Sequence, residues 1–134
     1  AERLLIRGLQ VRGDRGEAAV QGFDLAVHAG EIVGVAGVSG NGQRELMEAL
    51  VGQRPVAAGE VRVSGQPYAA RRSENRRLKV RALPEEPLRN ACVGPMSVAA
   101  NLALRRFDEA PLSRWGWLRP GEMRRAARAA IAEY

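Results

Sequence analysis

The stretch EIVGVAGVSGNGQRELMEAL, Glu31–Leu50, constrains the fold of this chain more than any other. Ile32–Val35 is a short run of mostly β-branched side chains, which predicts a strand buried on both faces. A glycine-rich segment follows, and Glu45–Val51 then places apolar side chains on one face of a helix that Gly52 ends. A strand, a glycine-rich loop and a helix in this order predict an α/β fold with a phosphate-binding turn.

The glycine-rich segment fits the phosphate-binding loop G-x-x-x-x-G-K-[ST] in all but its last two positions. Its glycines let backbone N–H groups point at phosphate oxygens, and the helix that follows adds its positive end. Gln43 stands at the lysine position and Arg44 at the position of the Mg²⁺-binding hydroxyl. Glutamine carries no charge and arginine has no acceptor for a metal, so we expect slow or absent hydrolysis. The matching positions are Gly37, Val38, Ser39, Gly40, Asn41 and Gly42.

Two other enzymatic interpretations of this loop fail. The dinucleotide fingerprint G-x-G-x-x-G has its glycine spacing in the reverse order. A nucleophile elbow G-x-S-x-G needs a glycine where Asn41 stands, and the only histidine, His28, precedes Ser39, which is the wrong order for that fold. A tight turn that binds no ligand stays open as an alternative.

The flanking sequence predicts short strands and helices without an internal repeat. Ser97 is a plausible N-cap for a helix that turns Val98, Ala99 and Leu102 inward. The whole pattern predicts an α/β chain with an antiparallel β flank. The predicted strands are Leu4–Ile6, Leu9–Val11, Ala19–Val27, Glu60–Val63 and Val80–Leu83; the predicted helices are Ser97–Arg105 and one from near Pro120, with a surface helix or loop at Arg71–Arg77 and an irregular segment at Pro111–Pro120.

The amino-acid composition limits the classes of protein to which this chain can belong. The 134 residues carry a net charge of +6, but arginine enrichment can reflect genome base composition as easily as a nucleic-acid partner. The single cysteine, Cys92, excludes an internal disulfide, and no apolar run is long enough for a transmembrane helix. The chain lacks an initial methionine and ends inside a helical pattern, so we expect a piece of a longer polypeptide.

Beyond these patterns, Val20–Gly52 strongly resembles the ATP-binding subunits of ABC transporters. It looks most like the second nucleotide-binding domain of bacterial simple-sugar and nucleoside importers, whose Walker A motif reads G-x-x-G-N-G-Q-x-E-L. In that family the lysine is typically lost, so Gln43 is a family trait. The matching residues are Gly37, Gly40, Asn41, Gly42, Gln43, Glu45 and Leu46.

The resemblance continues through nearly the whole chain. GEVRVSGQP, VRALPEEP, MSVAANLAL and LSRWGWLRPGEMRRAA are each similar to a segment of the family. Glu85 stands at the Q-loop glutamine position and Glu86 at the acidic position after it, while Pro87 replaces the family's arginine. The signature sequence LSGGNQQK, Walker B, the catalytic glutamate and the switch histidine do not occur in these 134 residues.

The resemblance implies a partial P-loop NTPase fold, with residues 1–95 as the nucleotide-binding core and 96–134 as the start of a truncated helical subdomain. ATP would bind weakly or not at all at Gly37–Arg44 and Glu85, Mg²⁺ would belong to the complete protein, and no catalytic or metal-binding residue is assigned. The implied partners are transmembrane permease subunits, the other nucleotide-binding domain and, indirectly, a substrate-binding protein. The implied location is the cytoplasmic face of the membrane.

Several residues admit a second interpretation. Glu85 and Glu86 could act as paired carboxylates, although solvated loop residues are the simpler interpretation. The arginines of Arg71–Arg81 lack the interleaved aromatics of a nucleic-acid site, so we expect a solvated face and no nucleic-acid partner. Trp115 and Trp117 suit packing within the subdomain or an interface anchor. The alternative function for the whole chain is a non-catalytic protein-interaction module.

Overall fold

The computed structural model describes residues 1–133. It divides the chain into two compact units, Ala1–Ala82 and a second that begins at Leu83. Within the described residues, no helix combines the length and the apolar character needed to cross a membrane.

A four-stranded antiparallel sheet in the order β2-β1-β3-β4 forms the body of the first unit. The two short strands predicted at the start of the chain are one strand. Gly8, with φ of +55°, lies at a register shift between Ile6 and Leu9, and its N–H donates to Asp24 Oδ1 at 2.6 Å. A bulge at a glycine lets both halves stay in one strand. The strands are β1 Glu2–Arg12, β2 Ala18–His28, β3 Val56–Val63 and β4 Gln66–Pro67.

The core of this unit lies between the sheet and the helix α1, Gln43–Val51. The strands predicted at Ala19–Val27 and Glu60–Val63 are both confirmed, with apolar side chains buried at alternate positions. The helix adds Leu46 and Ala49 from one face. The buried core residues are Ile6, Leu9, Val11, Val20, Leu46, Ala49, Val61, Val63 and Tyr68.

A second, short helix, α2 at Arg72–Arg77, decides between the two predictions for that segment. Tyr68 connects it to α1, because its hydroxyl lies 2.7 Å from the Leu50 carbonyl oxygen and 2.5 Å from Asn75 Oδ1. Burial raises the pKa of the Tyr68 hydroxyl. The tyrosine therefore holds the end of α1 and the middle of α2 together.

The predicted buried strand at Ile32–Val35 is wrong for this structure. Residues 31–38 pair with no strand among the described residues, and Ile32 is 99% exposed. A strand that is apolar on both faces needs hydrogen-bonded neighbours and covering layers. The sheet of this unit is built from β1–β4, which leaves the segment without them. The predicted strand at Val80–Leu83 is wrong in the same way, and Leu83 is exposed.

Between residues 83 and 133, the second unit contains three helices and a small hairpin. The prediction that Ser97 caps a helix is confirmed, since its Oγ accepts a hydrogen bond from the Ala100 N–H at 3.2 Å. The prediction that Val98 and Leu102 face inward is wrong, because both are exposed while Ala103 is buried. The elements are α3 Pro87–Asn90, α4 Val98–Ala103, β5 Ser113–Arg114, β6 Trp117–Leu118 and α5 Pro120–Glu133, which begins at the predicted proline.

The contact between α4 and α5 explains the difference in the buried face. Ala103 and Ala127 are the buried residues of these helices, and small side chains let helix backbones approach closely. Larger side chains such as Val98 and Leu102 then remain on the outer surface.

The segment predicted to be irregular, Pro111–Pro120, contains the hairpin β5–β6. Leu112 is the buried residue of this segment. The prediction that Trp115 and Trp117 pack within the unit is wrong, since 87% of Trp115 and 80% of Trp117 are exposed. The turn and the last strand of this short hairpin are exposed, and Leu112, just before it, is the side chain that is buried.

Candidate functional site

The glycine-rich loop, residues 37–42, leads into the first turn of α1. Gly40 and Gly42 have φ of +88° and +93°, in the left-handed region that favours glycine. A Cβ on Gly42 would lie 2.3 Å from the Ala19 carbonyl oxygen, whereas a Cβ on Gly40 would meet nothing within 4 Å. The Asn41 N–H donates to the Val38 carbonyl oxygen at 3.3 Å and closes the turn. Gly42 therefore lets the loop pack directly on the backbone of β2.

The helix that follows the loop packs in the core and has no side-chain cap at its N-terminal end. Leu46 and Ala49 are buried in the core, and Gly52, with φ of +84°, ends α1 as predicted. Gly42, at the other end, has no side chain with which to cap the first turn. The partial positive charge of that helix end consequently faces the loop, which is the arrangement that favours a bound anion.

Gln43, at the lysine position, bonds back to the loop. Its Nε2 donates to the Val38 carbonyl oxygen at 3.2 Å. A Cβ placed on Gly37 would lie 2.3 Å from the same nitrogen. The Gln43 amide therefore lies against the backbone of Gly37 and Val38. This amide can donate hydrogen bonds to a ligand after it leaves Val38, but it brings no positive charge.

Arg44, at the position of the metal-binding hydroxyl, is engaged by carboxylates outside the loop. Its Nη2 lies 2.7 Å from Asp14 Oδ2 and 2.8 Å from Glu45 Oε1. Hydrogen bonding from Arg44 is the main reason why the pKa of Glu45 is lowered. These contacts make Arg44 part of the scaffold of the loop.

Asp14 links Arg44 to a second arginine. Its other oxygen, Oδ1, accepts a hydrogen bond from Arg54 Nη2 at 2.6 Å, and Arg54 also lies 2.7 Å from Glu48. Arg54 Nη1 donates to the Arg12 carbonyl oxygen at 3.0 Å. Hydrogen bonds first from Arg54 and then from Arg44 lower the pKa of Asp14 to about 2. This ion network joins the turn between β1 and β2 to both ends of α1.

Sequence reasoning missed this network. Arg44 and Glu48 are four residues apart in a predicted helix, which is the spacing of a helical ion pair, and their side chains lie 4.0 Å apart in the structure. The acidic residue in the polar turn after β1, Asp14, was a second signal. Only the fold brings Asp14 to Arg44 and Arg54, which lie far along the chain.

The residues at the loop suit phosphates better than they suit a metal ion. Backbone N–H groups and the start of α1 are the groups that hold phosphates in such loops. A guanidinium offers no lone pair to Mg²⁺, so Arg44 does not fit the metal. Among residues 1–133, no cluster of three His, Cys, Asp or Glu side chains could hold one either.

An open groove of about 480 Å³ lies beside the loop, bounded by β2 on one side and by residues 35–46 on the other. Phe23 lines this groove and also packs against the core. The volume lies within the usual range for small-molecule sites. The groove gives a ligand access to the outer side of Gly37 and Gln43.

Glu85, the remaining candidate site residue, lies in the second compact unit and is exposed. Its neighbour Glu86 forms an ion pair with Arg89 at 3.5 Å. Cys92 and His28 are also exposed. The His28 backbone N–H donates to Glu31 Oε2 at 2.7 Å, an arrangement that belongs to the turn after β2.

Residues 20–133 match the family model for ABC transporters. The chain is 36% identical over 132 residues to the nucleoside import ATP-binding protein NupA of Lactococcus lactis, covering 98% of this chain and 26% of that protein. It is 36% identical over 137 residues to the guanosine import ATP-binding protein NupO of Bacillus subtilis, covering 100% and 26%. It is 40% identical over 117 residues to the ribose import ATP-binding protein RbsA of Pseudomonas putida, covering 87% and 22%.

Among solved structures, CbiO1 from Clostridium perfringens, part of the ABC transporter complex cbiONQ, gives a TM-score of 0.52 at 18% identity, covering 98% of this chain and 61% of that one. This likeness concerns the fold, and it confirms the predicted α/β class with an antiparallel flank. The chain spans about a quarter of the length of the curated relatives named above.

Proposed function

This chain belongs to the ABC transporter family, and we propose that it is part of the ATP-binding subunit of an importer for simple sugars or nucleosides. The similarity to import ATP-binding proteins for nucleosides, guanosine and ribose supports this proposal. The complete protein would use ATP, with Mg²⁺, to drive uptake through transmembrane permease subunits, to which a substrate-binding protein delivers the cargo. It would act from the cytoplasmic face of the membrane, together with another nucleotide-binding domain.

Within that protein, residues 1–95 would belong to the nucleotide-binding core and residues 96–134 to the helical subdomain. The exposed apolar segment Ile32–Val35 supports the first assignment, since it has the composition of a central strand but pairs with no strand among residues 1–133. Within Met96–Trp117, the exposed apolar side chains that precede the hairpin support a docking surface for a permease subunit; these are Met96, Val98, Leu102 and Phe107.

The loop Gly37–Arg44 would hold nucleotide phosphates without hydrolysing them, and Glu85 is proposed separately as a nucleotide-contacting residue. Phosphoryl transfer develops negative charge that a lysine and a metal ion normally neutralise. Gln43 supplies neither charge nor metal ligand, and a missing charged contact of this kind costs about 2–4 kcal/mol of transition-state stabilisation. The observation that carries the proposal is the engagement of Arg44 by Asp14 and Glu45, which assigns this residue to the scaffold. Its guanidinium offers no lone pair to a metal ion.

Restoring the two lost side chains tests this proposal. In the double variant Gln43→Lys, Arg44→Ser, we expect Mg·ATP to bind about 10–100-fold more tightly, the change that one hydrogen bond to a charged group provides. Isothermal titration calorimetry measures the affinity. An affinity equal to that of the unmodified chain would contradict the assignment of the lost affinity to this loop.

Single variants separate the two effects. Gln43→Lys alone should gain affinity with or without Mg²⁺, because it adds charge only. Arg44→Ser alone should gain little, because it supplies one hydroxyl while breaking the contacts with Asp14 and Glu45. Circular dichroism controls for loss of fold in each variant.

A protein-interaction module with a ligand-free turn is the second candidate function. The bond from the Gln43 amide to the Val38 carbonyl favours it, because the loop satisfies these groups by itself. This candidate predicts that neither the unmodified chain nor the double variant binds ATP.

A further inference from the structure

The hairpin β5–β6 presents both tryptophans of the chain to solvent. Trp115 and Trp117 are almost fully exposed, and Leu118 beside them is half exposed. Large apolar side chains that are exposed next to one another often mark an interaction surface. We name Ser113–Arg119 the tryptophan hairpin.

The turn of this hairpin has an unusual residue at its first position. Trp115 and Gly116 have φ of +53° and +82°, so both central residues are in the left-handed region. Tight hairpin turns of this type favour asparagine, aspartate or glycine at the first position, since the Cβ of other residues comes close to the backbone. The turn itself gains nothing from a tryptophan, which indicates a use for the exposed indole ring.

Positive charge lies beside the indole rings. The Arg114 guanidinium lies 4.7 Å from the centroid of the Trp115 ring, and Arg114 is paired in register with Trp117. Arg119 follows β6 and reaches Glu122 at 3.6 Å while staying about half exposed. The hairpin sequence itself contains two arginines and no acidic residue. Aromatic rings and cations therefore occupy one small surface.

We propose that the tryptophan hairpin binds anionic lipid headgroups, with its indole rings in the interfacial layer and its arginines at the lipid phosphates. Indole rings combine an apolar body with an N–H donor and concentrate at membrane–water interfaces. Arginine beside them is attracted by the negative surface of an anionic leaflet.

Size favours a lipid surface over a second protein. Two strands of two residues each offer far less area than the roughly 800 Å² per partner of a stable protein interface. A bilayer needs no complementary pocket, so a small exposed hairpin is sufficient. The proposal does not depend on nucleotide binding by the loop.

The tryptophan emission of the chain tests this proposal directly, because both fluorophores lie in the hairpin. On addition of vesicles of phosphatidylcholine mixed with phosphatidylglycerol, we expect a blue shift of the emission and quenching by brominated lipid chains. Salt at about 1 M should suppress the binding, since it shortens the screening length to about 3 Å. Unchanged emission with these vesicles at low salt would overturn the proposal.

Charge variants identify the groups responsible. Arg114→Gln with Arg119→Gln keeps both indole rings and should weaken vesicle binding about 30-fold, from two charges near an anionic surface. Arg124→Gln with Arg128→Gln removes the same charge from exposed positions of α5 and should change the binding less than threefold. Equal losses in the two double variants would show attraction by net charge alone and would contradict a site at the hairpin.

A third variant tests the aromatic contribution. Trp117→Ala leaves the turn residues in place and keeps Trp115 as the fluorophore. Its vesicle binding, measured by co-sedimentation, should fall by at least tenfold while the circular dichroism spectrum stays the same. Binding at the unmodified level would show that the indole ring contributes nothing.

Discussion

Replacement of Gly42 by alanine should damage the structure far more than the same replacement at Gly40. Both residues have a left-handed backbone, and alanine in that conformation costs about 1–2 kcal/mol. At Gly42 the new Cβ would also lie 2.3 Å from the Ala19 carbonyl oxygen, whereas real Cβ contacts are essentially never shorter than 3.0 Å. The loop or β2 must therefore move by about 0.7 Å, the difference between these two distances.

That displacement is costly because Ala19 belongs to a strand in the sheet. Overpacking of this kind costs about 1–3 kcal/mol, so Gly42→Ala should lower the free energy of unfolding by about 2–5 kcal/mol in total. Gly40→Ala carries only the backbone cost, since open space surrounds its Cβ position. Gly40→Ala is therefore a matched control, with the same residue change in the same loop.

Urea unfolding followed by far-ultraviolet circular dichroism measures the difference. Tryptophan fluorescence is unsuitable, because both tryptophans lie in the second compact unit. We expect the two variants to differ by at least about 1 kcal/mol, the lower end of the overpacking cost. Equal destabilisation by the two alanines would refute the close contact between the loop and β2.

Two further predictions concern the scaffold of the site. The lowered pKa of Asp14 means that its ion pairs stabilise the fold fully above the unfolded value of 3.8 and lose this contribution as the pH falls towards about 2. The stability difference between the unmodified chain and Asp14→Asn should therefore shrink over that interval in acid titrations, and a constant difference would exclude the network. Tyr68→Phe should cost about 1–3 kcal/mol in urea unfolding, because it removes the hydroxyl beside the Leu50 carbonyl and Asn75; unchanged stability would show that this hydroxyl does not hold α1 to α2.

The sequence correctly predicted the structural features that depend on residues close together in the chain. The cap at Ser97, the glycine end of α1 at Gly52 and the alternating strand β2 depend on residues a few positions apart, and the structure confirms them. The positions of the loop followed from its glycine spacing. The contact of Gly42 with β2 did not, because it joins residues far apart in the chain.

The failures concern elements whose environment lies outside their own sequence. Ile32–Val35 has the composition of a central strand, but a strand forms only where neighbours supply hydrogen bonds. Val98 and Leu102 follow a helical spacing, yet where α4 contacts α5 the buried side chains are the small ones of Ala103 and Ala127. The ion network around Asp14 combines a turn and two helix ends, so no single motif encodes it.

A titration of the isotopically labelled chain with ATP, followed by the amide shifts of Gly40, Gly42 and Gln43, tests the central claim most directly. The claim is that the loop offers phosphates a backbone cradle without a charged side chain or a metal ligand. It predicts amide shifts that are confined to the loop, and an affinity for ATP that is the same with Mg²⁺ or with EDTA. The dissociation constant should lie above about 100 µM, which corresponds to a binding free energy of less than about 5.5 kcal/mol in magnitude. Binding of ATP that depends on Mg²⁺ and has a dissociation constant below about 100 µM would contradict the claim.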